Sequence, residues 1–217
     1  MSRANRHFIP GQIWHLTHQC HRREFLLKFV RDRRRWRHWL FQARERFGLS
    51  VLNYIATYNR IHLLVKDRGR GEIAKSMQLI ASRTGQEYNR RKQRHGAFWR
   101  DLYQTTAVDR DHYLPRCVVY IDLNMVRAGA VAHPAQWGIS GFREIQQPPV
   151  RSRIIDMEAL QRLLDIDGLE RLQQTRAGWV DDALRGAAMK RDPVWSQSVA
   201  VGSPEFLESL RRSASDA

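Results

Sequence analysis

The sequence predicts an α+β fold: a ferredoxin-like α/β sandwich, an antiparallel sheet with helices on one face, followed by a C-terminal helical extension. Three observations predict it. Alternating β-prone runs and helical periodicities follow one another in the order strand, helix, strand, strand, helix, strand. Glycine, proline and asparagine punctuate the joins between them. The stretch Gln146-Gln147-Pro148-Pro149 then divides this block, residues 1–147, from a helical extension over residues 148–217.

The elements are justified in turn. Ile13 to Cys20 follows Pro10-Gly11 and reads as a first strand. Phe29 to Phe47 reads as a helix, with Trp36, Leu40 and Phe47 near helical spacing and Gly48 as its stop. Val51 to Thr57 and Ile61 to Lys66 form two strands around a turn at Tyr58-Asn59, where asparagine tolerates positive φ. A long helix is expected from Glu72 to Arg94, with Ile73, Met77, Ile80, Thr84 and Tyr88 as its buried stripe and Gly96 beyond its end. Tyr103 to Val108 is a fourth strand. The next helix starts near Asp111, because Pro115 belongs in a first turn, and runs past Arg127 to Gly129. In the extension, Met157 to Leu164 and Leu169 to Met189 read as helices. Ser203-Pro204 opens another, with serine as cap and proline at the first position.

The charge speaks to partners rather than fold. Lys+Arg 37 against Asp+Glu 22 gives +15 over 217 residues, with a pI near 10.9. Arginines interleave with aromatics in two helical stretches, which suits phosphate contact and base stacking. The candidates for nucleic-acid contact are Arg34, Arg35, Trp36 and Arg37 in the first, and Arg83, Arg90, Arg91, Lys92, Arg94, Trp99 and Arg100 in the second. Trp36 and Trp99 are the residues expected to stack on unpaired bases. No run is apolar enough to span a membrane and no secretory leader is expected. Two cysteines, Cys20 and Cys117, make no disulfide framework, so the chain reads as cytoplasmic with reduced thiols. A monomer is expected, with a dimer as the alternative, and no small-molecule substrate.

Tyr120 and Asn124 lie one helical turn apart, offset from the apolar stripe of Leu114, Val118, Ile121 and Met125. Spacing alone leaves two readings open: a cleft-facing pair, or a tyrosine at the core edge with an asparagine meeting water.

Two strings carry a resemblance. Asn59-Arg60-Ile61-His62-Leu63-Leu64-Val65 resembles the His-hydrophobic-His strand of the single-tyrosine HUH transposases, and Tyr120-Ile121-Asp122-Leu123-Asn124-Met125-Val126-Arg127-Ala128-Gly129 resembles their tyrosine-bearing helix. Within that family the sequence is most similar to the REP-associated branch. The resemblance implies a nucleoid-associated protein that binds single-stranded DNA carrying a palindromic hairpin. It implies that Tyr120 attacks a phosphodiester and forms a 5′-phosphotyrosine. It implies a divalent ion, Mg²⁺ or Mn²⁺, held by His62, by Asn124 and by a histidine at position 60. An ion is needed because a phenol of pKa about 10 is a poor nucleophile at neutral pH.

Position 60 is arginine, which is the degenerate ligand position. Residues 60 and 62 share a strand face, but a guanidinium has donors only and cannot ligate a metal. Three readings follow: a binder that has lost cleavage, a guanidinium that contacts the phosphate directly, or a replacement ligand such as His15 or His18. Loss or severe weakening of metal-dependent cleavage ranks first. The rival class is a catalytically inactive DNA- or RNA-binding protein on the same scaffold. Zinc at His15, His18, Cys20 and His21 is disfavoured because the strand separates their faces. Asp101, Asp109, Asp111 and Asp122 read as caps and solvated loop residues.

Overall fold

The computed structural model describes residues 9–186 and 192–215. Its elements are β1 (Ile13–Gln19), α1 (Val30–Phe47), β2 (Ser50–Ala56), β3 (Arg60–Lys66), α2 (Glu72–Lys92), β4 (Gln104–Val108), α3 (Tyr113–Asp122), α4 (Asn124–Arg127), α5 (Gly141–Gln146), α6 (Met157–Leu164), α7 (Leu169–Arg185), α8 (Val194–Gln197), β5 (Ala200–Val201) and α9 (Pro204–Ser215). The sheet order is β2-β3-β1-β4-β5. β1 to β4 pair antiparallel, as expected of the α+β sandwich. β5 comes from the extension and pairs parallel to β4, Ala107 with Ala200 and Val108 with Val201.

Strand parity divides the helices between the two faces of the sheet. The even residues of β1 include Leu16 and His18, and His18 stacks on Trp99, whose indole N–H donates to Ala81 of α2. The odd residues include His15, whose ring meets Tyr120 of α3. α1 and α2 therefore cover one face, and the tyrosine-bearing α3 covers the other.

Helix ends follow backbone chemistry. Gly48 closes α1 at φ 71 with its N–H 2.9 Å from the Arg44 carbonyl, a conformation that favours glycine. α2 stops before the expected Arg94 because Gln93 turns left-handed at φ 49. The expected single helix from Asp111 to Arg127 is two. Asp111 sits at φ 48, outside the helix, and Leu123 (φ −81, ψ 2) separates α3 from α4. The Asn124 amide explains the break, because it donates to the Tyr120 and Ile121 carbonyls at 3.1 and 3.3 Å in competition with the backbone. α7 is described to Arg185; residues 187–189 of the expected helix lie outside the described residues.

The extension is tied into the sandwich. α7 packs on α3 and α5. Arg176 of α7, fully buried, holds Asp122 of α3 through two hydrogen bonds of 2.8 and 2.6 Å and Asn53 of β2 through one of 2.7 Å. Asp122 is thus a buried ion-pair partner, not the solvated residue expected. A bulge between Val51 and Asn53 turns Asn53 toward that network. At Gly141, the start of α5, a Cβ would come within 2.3 Å of the Asn53 side-chain oxygen, so only glycine permits this approach.

Candidate active site

The register of β1 on β3 sets Gln19 opposite Arg60 and Thr17 opposite His62, and these side chains share the face covered by α3. Tyr120, 5% exposed, stands edge-on to both His15 and His62, with ring centroids 6.1 Å apart in each case. Arg60, His62 and Asn124 all line one cleft of about 1070 Å³. The β3 string and the tyrosine-bearing stretch therefore lie against one another, which spacing alone had left open.

His15 and His62 form a relay that the sequence did not reveal. His15 Nδ1 lies 2.6 Å from the Trp195 carbonyl oxygen, and His15 Nε2 lies 3.0 Å from His62 Nδ1. A carbonyl only accepts, so Nδ1 of His15 donates. A neutral ring then accepts at Nε2, and His62 must donate from Nδ1. In neutral His62, Nε2 then carries the lone pair. His15 is neutral because burial pushes its pKa down to about 4; the Trp195 carbonyl opposes this and the Arg60 charge adds to it. With both nitrogens engaged, His15 orients His62 instead of replacing a ligand. His18 faces the other side of the sheet, where it bonds the Asp101 carbonyl at 2.7 Å.

A pH dependence follows. As pH falls, the unfolded chain protonates this histidine near 6.5 but the folded chain only near 4. Its contribution is therefore full above pH 6.5 and drains away between 6.5 and 4, by about 3 kcal/mol at most. His15→Gln keeps a donor for the carbonyl and an acceptor for His62 but does not titrate. Urea unfolding across that window should show a flatter stability profile for His15→Gln, and parallel profiles would contradict the assignment.

The helix side adds charge. The Arg127 guanidinium carbon lies 4.4 Å from the Tyr120 ring centroid, and the same group donates to the Tyr120 carbonyl. The Asn124 amide nitrogen is used on α3 carbonyls, so Oδ1 is the atom it can offer to a cation or to DNA. The residues fit a divalent ion poorly. His62 and Asn124 give two neutral donors beside the Arg60 cation, and among the described residues no group of three or more His, Cys, Asp or Glu converges on a common point. Neither thiol is a nucleophile candidate: Cys20 and Cys117 are buried, and burial pushes Cys20 up to about 12.

The predicted nucleic-acid contacts scatter. Trp36 is fully buried in the core and cannot meet a base. Its helical spacing with Leu40 outweighs its arginine neighbours. Arg37 is tied to Tyr54, Glu144 and Ser152, Arg35 to Glu87, Arg91 to Asp32, and Arg94 to Glu24 and Ala97. Trp99 is half-buried against His18. Arg34, Arg83, Arg90 and Lys92 are exposed, on the helices of the opposite face. Arg100 alone of the set lines the cleft. The residues missed by the sequence reading are Trp195, Ser196 and Gln197, which the extension brings to the site, and Arg23, Phe25, Lys28 and Phe29 from the segment between β1 and α1.

The sequence profile of the family described as "Transposase IS200 like" matches residues 10–124, more than half of the chain. The chain belongs to this family. No curated protein matches it. Among solved structures, this IS200-like family member is similar to a REP-associated tyrosine transposase bound to a REP hairpin. The TM-score is 0.56 at 18% identity, over 72% of this chain and 94% of that one. At that identity the likeness concerns the fold. The matched residues of the family profile end at Asn124, so they span both the His62 strand and the Tyr120 helix. Among the described residues no helix is long and apolar enough to cross a membrane.

Proposed function

We propose that this protein binds single-stranded DNA bearing a palindromic hairpin and that Tyr120 is its phosphodiester nucleophile, working with a metal site weakened by Arg60. The observation that carries this reading is the edge-on contact of Tyr120 with His62, which lines one cleft with Asn124, four residues beyond Tyr120. In the step, the phenol loses its proton to solvent, its oxygen bonds to phosphorus, and the 3′ oxygen leaves and takes up a proton from solvent, so the phosphotyrosine retains the bond energy for rejoining. Arg60 and Arg127 face developing charge on the phosphate and supply donors for it. His62, oriented by His15, presents Nε2 as its ligand atom. The neighbour's hairpin ligand supports a hairpin here through shared fold and family. We expect a monomer whose DNA-cutting unit is residues 1–147, with residues 148–217 contributing Trp195 to the site.

The competing reading, an RNA or DNA binder without cleavage, is separated by titration. Labelled hairpin DNA with single-stranded flanks should bind more tightly than the same sequence as RNA or as plain duplex. A preference for RNA would overturn the reading. The covalent step is decided on denaturing gels with variants at Tyr120 and Arg60.

A further inference from the structure

The segment between β1 and α1 exposes two large aromatic rings, Phe25 at 62% and Phe29 at 59%. Exposed phenylalanines at a cleft call for a ligand. Both line the cleft that holds His62 and Asn124. The segment that carries them is tied down by packing and hydrogen bonds. Leu26 and Leu27 are buried, the Leu27 N–H donates to the Tyr58 carbonyl at 2.9 Å, and Arg33 Nη1 donates to the Leu27 carbonyl at 2.8 Å. Asn59 Nδ2 fastens the Arg23 carbonyl at 2.9 Å. Phe25 is braced edge-on by Tyr58, with centroids 6.0 Å apart, and Phe29 is held at the N-cap of α1 with Lys92 Nζ 5.6 Å from its ring centroid.

The charge around the rings names the class of ligand. The described residues lining this cleft include Arg23, Lys28, Arg60, Arg100 and Arg127 and no aspartate or glutamate. Apolar rings in a cleft whose charged lining residues are all cations do not suit a generic protein partner. They suit a polyanion with flat apolar faces, which is single-stranded nucleic acid. Ordered rings also lose little entropy on stacking, so the platform is built before the ligand arrives.

We propose that Phe25 and Phe29 form a stacking platform for the unpaired bases that flank the hairpin, holding that strand across the cleft toward Tyr120. The platform rests on the DNA reading above and gives it a way to tell a flanked hairpin from a blunt one. Stacking requires an unpaired base, so the rings should ignore a blunt stem.

The test uses the full-length protein and two oligonucleotides, a blunt hairpin and the same hairpin with a single-stranded flank carrying 2-aminopurine. Wild type should quench the 2-aminopurine on binding. Phe25→Ala and Phe29→Ala should each weaken binding of the flanked hairpin by about tenfold and abolish most of the quenching, while leaving the blunt hairpin within about twofold. Phe25→Trp and Phe29→Trp should keep both. Both rings are largely exposed, so their loss spares the fold, and unchanged urea midpoints will show it. Equal losses on the two oligonucleotides, or none on either, would overturn the platform while the DNA reading stands. A wild type that binds neither oligonucleotide removes the DNA reading and the platform together.

Discussion

Replacing Arg60 with histidine is expected to raise the yield of the Tyr120–DNA adduct by about 100-fold in Mn²⁺. Arg60 and His62 sit two residues apart on β3, on one face and in one cleft. Histidine there adds a neutral lone pair where the guanidinium adds a positive charge and no lone pair. The change therefore supplies a ligand and removes a repulsion at once, and losing one outer contact alone is worth 10- to 100-fold at metal sites. A small opposing effect is expected on the proposed reading, in which the Arg60 guanidinium also donates to the phosphate, so DNA binding should weaken a few-fold. The gain should need Mn²⁺ or Mg²⁺ and disappear with chelator. Tyr120→Phe should abolish the adduct in either background, because the proposed attack needs the phenolic oxygen of the tyrosine packed on His62. If Arg60→His forms no more adduct than wild type, position 60 is not what limits cleavage. If wild type already forms a metal-dependent adduct in full yield, the weakened-site reading fails.

The parts of this protein that sequence made legible are those set by local period. The face of His62 followed from the alternation of Arg60 to Lys66, and the stripe of α3 followed from Leu114, Val118 and Ile121. The resemblance then joined strand to helix, which spacing alone left open. The rest was illegible for physical reasons. His15 was visible as a residue, but its partner is the Trp195 carbonyl, 180 positions away, and a backbone carbonyl leaves no mark in a sequence. The break at Leu123 depends on one side-chain amide turning inward, which helical periodicity does not record. Between Arg23 and Phe29 every apolar residue looks alike, yet Leu26 and Leu27 are buried while Phe25 and Phe29 are exposed. Trp36 shows the opposite failure: charged neighbours suggested a surface, and the helical stripe placed it in the core.

Arg176→Met is expected to destabilise the fold by about 3–5 kcal/mol, because it leaves the Asp122 carboxylate buried without its cation. Both side chains are 0% exposed, so neither water nor salt can compensate. The loss should appear as a fall of roughly 10 °C in Tm and a lower urea midpoint with unchanged slope. The double variant Arg176→Met with Asp122→Leu should recover most of that loss. An apolar pair of similar volume carries no desolvation penalty, whereas the ion pair must overcome one. Asn53 limits the side effects in both variants, since its side-chain oxygen also accepts the Tyr54 N–H at 2.9 Å and its amide also donates to the Val118 carbonyl at 3.2 Å. The signature is thus non-additivity of a definite sign: the second substitution should stabilise only after the first. If the double variant is no more stable than Arg176→Met, then shape and hydrogen bonding at this junction matter more than unpaired charge. The same junction bears on the site. Asp122 lies two residues beyond Tyr120 on α3, so Arg176 of the extension fixes the end of the helix that carries Tyr120. Arg176→Met should therefore lower adduct yield even at temperatures where the variant is still folded, and the double variant should restore it alongside stability.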